Sequence, residues 1–121
     1  MSQSGRTAHR KAIPNYQRAV IPRAKVEGYV LDLSHPRGRN KAIVFKSALG
    51  FEQSDWETLR DSIIAELPYH EAIAGKTDQY CKRYNVTLPI TGPNGRTLDV
   101  TTAWKIETGE DYPSFVTAKV K

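Results

Sequence analysis

The chain has 121 residues, 39% of them apolar and 26% charged, with one cysteine and a formal net charge of +5. That suffices for one domain whose core needs no disulfide or metal support, and the lone Cys81 excludes a disulfide framework. No apolar run nears the ~20 residues that span a bilayer and no signal-peptide core opens the chain, so a cytoplasmic protein with no membrane partner is expected.

Charge is unevenly spread. Residues 1–47 carry ten Lys/Arg against two acids, Glu27 and Asp32, whereas residues 48–121 carry eight against eleven. One end of the molecule should therefore attract polyanions, RNA above all.

Residues 1–13 are polar and aperiodic and read as a flexible N-terminal arm, leaving a single domain over residues 14–121. Pro22 suits the first position of a helix, and Val26, Tyr29, Val30 and Leu33 recur on one helical face. That helix should stop in the Ser34–Gly38 loop. A second helix is expected from Asn40 to Leu49, with Ala42, Phe45 and Leu49 inward and Gly50 as the stop. A third starts at a capping box of Ser54 and Glu57, buries Trp56, Leu59, Ile63 and Leu67, and closes at Pro68.

From Tyr84 the period changes to two. Tyr84, Val86, Leu88 and Ile90 alternate with polar residues up to a turn at TGPNG, and Leu98, Val100, Thr102, Trp104 and Ile106 alternate again. After ETGEDYPS, a closing strand turns Val116, Ala118 and Val120 inward and Phe115, Thr117 and Lys119 outward. The fold class is α+β, about three N-terminal helices packed on a three- to four-stranded antiparallel sheet; the fourth strand, where present, is Gln79–Lys82.

No phosphate-binding glycine loop, dinucleotide fingerprint, serine elbow or metal-spaced carboxylate pattern occurs, so no cofactor and no metal are expected. Glu110 and Asp111 read as a solvated turn, His70 as a complement to a helix end, His9 as part of the arm and Trp104 as core. The exception is SHPRGRNKA, residues 34–42. Cleavage of an RNA phosphodiester by its own 2′-OH needs a proton carrier near neutral pH and fixed cations for the phosphorane oxygens. His35 suits the first task. Arg37, Arg39 and Lys41 suit the second, with Pro36 and Gly38 shaping the turn that presents them. On the closing strand Thr117 has the hydroxyl to bond a phosphate oxygen, and Lys119 beside it adds a cation. The competing reading is a non-catalytic module that binds nucleic acid or a partner protein through the same basic face.

The runs AVIPRAKVEGYVLDLSHPRGRNKAIVFKSALGF and GRTLDVTTAWKIETGEDYPSFVTAKV resemble a widespread, functionally uncharacterised family of small bacterial domains. The helices-then-sheet order and the VTA ending are also loosely similar to the barnase/EndoU/RelE-like nuclease superfamily. That resemblance implies a metal-independent toxin ribonuclease acting on RNA. Its setting would be a toxin–antitoxin or competition system, with a small acidic antitoxin or immunity protein as partner. It casts His35, Lys41 and Thr117 as catalytic and Arg37, Arg39 and Lys119 as substrate-binding. Lys119 stands where such endings often read Tyr-Pro.

Overall fold

The architecture is taken from a computed structural model that describes residues 6–121. Helical segments come first: α1 (Arg23–Lys25), which widens into a π turn over Val26–Val30; α2 (Arg39–Val44), which widens likewise over Phe45–Leu49; and α3 (Trp56–Glu66). Four strands follow, β1 (Ala72–Thr77), β2 (Cys81–Thr91), β3 (Thr97–Glu107) and β4 (Ser114–Val120), in one antiparallel sheet of order β1-β2-β3-β4. This is the α+β fold expected. The helical segments are shorter than the ~12–15 residues that hold a helix in water unaided, so packing against the sheet sustains them.

The core is the seam between the two layers. Val26, Val30, Phe45, Leu49, Leu59, Ile63 and Leu67 meet Val86, Leu88, Ile90, Val100, Trp104, Phe115 and Ala118. Each fully buried Leu, Ile, Val or Phe contributes roughly 1.5–3 kcal/mol. Thr102 is the one polar residue buried outright among the described residues. Its hydroxyl donates to the Val86 carbonyl at 2.7 Å and accepts the Trp104 indole N–H at 2.8 Å, so neither polar group is stranded.

Several local expectations are corrected. The π turn carries the Leu31 N–H to the Val26 carbonyl, 2.9 Å away, and shifts the buried stripe. Leu31 is 3% exposed where Leu33, expected inward, is 43% exposed. Pro22 lies one position before the helix, in extended conformation. The cap ahead of α3 is Glu52 with Asp55, not Ser54 with Glu57: the Asp55 carboxylate accepts the Glu52 N–H at 2.8 Å, and Trp56 is only half-buried. The fourth strand is Ala72–Thr77. Gln79–Tyr80 form a turn, and Cys81–Lys82 begin β2.

Along β4, a bulge reverses an inside-outside assignment. Ala103 pairs with Thr117 but Trp104 pairs with Phe115, so Val116 is the extra residue. Phe115 thereby turns inward, edge-on to Trp104 with ring centroids 5.5 Å apart.

The N-terminal lead-in, read as flexible over residues 1–13, is docked where it is described; residues 1–5 lie outside the described residues. Arg6 forks onto the Glu66 carboxylate at 3.0 and 3.1 Å and stacks over Tyr69. The His9 N–H bonds the Pro68 carbonyl, and Ile13 is buried in the core.

The turn between β2 and β3 holds the end of the second helical segment. The last carbonyls of a helix have no partner within it. Here the Asn94 side chain donates to the Ala48 carbonyl at 3.2 Å, and the Asn94 N–H to that of Leu49 at 3.2 Å. Gly50, at φ 80°, provides the left-handed exit. Gly92 permits the contact, since a Cβ there would stand 2.0 Å from the Leu49 carbonyl oxygen.

Candidate functional site

The segment from Asp32 to Lys41 leaves the first helical segment and enters α2, and its shape is set by side chains bonding to nearby backbone. The Asp32 Oδ1 accepts both the N–H and the hydroxyl of Ser34, at 2.9 and 2.6 Å. These bonds, the hydroxyl first, hold the Asp32 carboxyl below the usual aspartate range. The next turn is organised by His35. Its Nδ1 accepts the backbone N–H groups of Arg37 and Gly38, both at 3.0 Å, while its carbonyl accepts the Arg39 N–H. The imidazole thus performs the task that Ser or Asp usually performs ahead of a helix.

A ring nitrogen that accepts two N–H groups carries no proton. His35 is therefore held as the tautomer with its proton on Nε2, and what it offers at its free nitrogen is a donor.

Tyr29 is the hub around which this turn closes. Its ring meets the His35 ring edge-on, centroids 4.8 Å apart at 86°. The Lys41 ammonium lies 3.4 Å from the Tyr29 phenolic oxygen and 5.3 Å from the ring centroid. Gly38 presses on the same residue, for a Cβ there would fall 2.2 Å from the Tyr29 carbonyl oxygen. The glycine is required by close approach, not by an unusual turn conformation, since its φ is −86°.

Arg37 and Arg39 are exposed, and neither has a carboxylate partner among the described residues. This separates them from most other arginines. Arg6, Arg18, Arg23, Arg60 and Arg83 each pair with an acid, on Glu66, Asp111, Glu27, Asp61 and Asp78 respectively.

The structure therefore brings His35 and Lys41 together against Tyr29 and leaves Arg37 and Arg39 exposed on the same segment, at the entry to α2. No hydrogen bond, ion pair or ring contact among the described residues joins Thr117 or Lys119 to that group. Thr117 pairs with Ala103 and Lys119 with Thr101, and with Ala118 buried, strand alternation turns both to the other face of the sheet. α2 does pack against β4. The Thr117 hydroxyl oxygen is buried and makes no hydrogen bond.

Tyr29 is the site residue that sequence reasoning missed. Its place in the helical stripe marked it for the core, and only the Tyr29–Lys41 spacing across the loop reveals its other role. His70, expected to complement a helix end, instead has its Nε2 2.9 Å from the Glu66 side-chain carboxylate, one turn back at the end of α3. Cys81 is buried, and no cluster of metal-ligating side chains occurs among the described residues. No helix among them is long and apolar enough to cross a membrane.

Fold and site together define a small α+β domain with an unpaired cationic loop at the entry to its second helix. The chain belongs to the family described as a domain of unknown function, DUF6883, which matches residues 12–121. No curated protein and no solved structure matches the chain.

Proposed function

We propose that this is an RNA-directed domain of the metal-independent ribonuclease type, gripping a phosphodiester with the loop that opens α2. The observation that carries the reading is the pairing of a fixed donor with unclaimed cations. The Arg37 and Gly38 N–H groups occupy Nδ1 of His35 and leave its Nε2–H as the donor, on the same segment as Arg37 and Arg39, which have no carboxylate of their own among the described residues. Guanidinium groups fork onto phosphate oxygens, and a preset N–H adds a hydrogen bond without reorganisation when charge grows there.

In the reaction proposed, the 2′-OH attacks the adjacent phosphorus, the 5′-oxygen leaves, and the products are a 2′,3′-cyclic phosphate and a 5′-hydroxyl. The proton lost by the 2′-OH is balanced by the one gained at the 5′-oxygen, so no water is consumed. His35 acts as donor to a non-bridging oxygen, a role a neutral imidazole can fill. Lys41 and the Tyr29 hydroxyl, 3.4 Å apart, are the remaining proton-bearing groups at the site. In a cell such an activity calls for a neutralising partner, and an acidic antitoxin or immunity protein fits the cationic loop.

One observation favours a second reading. With Nδ1 engaged and Nε2 protonated, His35 has no free lone pair in this state and cannot open as the base. A domain that binds RNA through the same face without cutting it needs no such base. Incubating RNA with the protein in excess chelator separates the two. The ribonuclease reading expects fragments ending in cyclic phosphate, absent when a 2′-deoxy residue replaces the cleaved position; intact but bound RNA supports the second.

A further inference from the structure

We draw no further inference here: the strongest candidate, the cleft of about 410 Å³ where β2 begins and β3 runs into the turn before β4, lined by Tyr84, Ile106 and the buried Cys81, carries nothing because its carboxylates Asp78, Glu107 and Asp111 are already paired with Arg83, Lys105 and Arg18 and a lone buried thiol does not say what would fill it.

Discussion

The Nδ1 of His35 accepts the N–H of Gly38 at 3.0 Å, and Gly38 in turn packs so closely on Tyr29 that no side chain fits between them. One histidine therefore closes the loop and commits its Nδ1 to doing so, leaving Nε2 as the nitrogen that can donate. Replacing it should separate the two roles. His35→Ala removes the acceptor for two N–H groups and should cost about 1 kcal/mol, the usual cost of losing a cap. His35→Asn restores an acceptor and should recover most of that stability, yet both variants should lose RNA cleavage. Urea denaturation beside an RNA assay checks this.

Gly38→Ala should be the more damaging substitution, although it adds a single methyl group. The new Cβ would overlap the Tyr29 carbonyl oxygen, a backbone atom, so the loop or the π turn behind it has to move. A loss of about 3 kcal/mol is expected, at the upper end for overpacking. Gly95, with no atom within 4 Å of an added Cβ, serves as a comparison in which any cost comes from its φ of 86° alone.

The closing strand offers a prediction of opposite sign. A buried hydroxyl without a hydrogen bond lowers stability, and valine has nearly the same shape. Thr117→Val should leave stability unchanged or raise it by about 1 kcal/mol. Thr102→Val should lower it by about 2 kcal/mol, because it strands the buried Trp104 indole N–H. Thermal melts of the two variants give the contrast directly.

Acid should loosen the docked N-terminal segment. The bond from Arg6, then that from His70, holds the Glu66 carboxyl below the usual glutamate range. A carboxylate depressed on folding adds stability above its unfolded value and loses it as pH falls through its folded one. Wild-type stability should therefore decline below about pH 4 more steeply than that of Glu66→Gln. Denaturation curves from pH 7 to pH 3 for the two proteins measure the difference.

The layer order, the alternating strands and the basic loop were legible because each depends on local pattern. Val86, Leu88 and Ile90 face the core as their alternation implies, and Leu59, Ile63 and Leu67 do so at helical spacing. Two of the inside-outside errors came where one residue was inserted into a period. The π turn at Val26–Val30 exchanged Leu33 for Leu31, and the bulge at Val116 brought Phe115 inward. Neither insertion leaves a mark in composition, since both are imposed by packing against neighbours distant in sequence. Tyr29 escaped for a related reason, as its partners Lys41 and Gly38 meet it only across the closed loop. The basic character of SHPRGRNKA was plain, but that His35 would bond its own loop was not.

The proposed grip on RNA is tested most directly by the affinity of a short single-stranded RNA for the wild type and for Arg37→Ala/Arg39→Ala, measured across a salt series in chelator. Both side chains are exposed and unpaired, so folding stability should shift by less than about 0.5 kcal/mol. The account predicts weaker binding in the double variant and a salt dependence shallower by about 1 to 2 phosphate contacts. Equal affinity and an equal salt slope in the two proteins would contradict it.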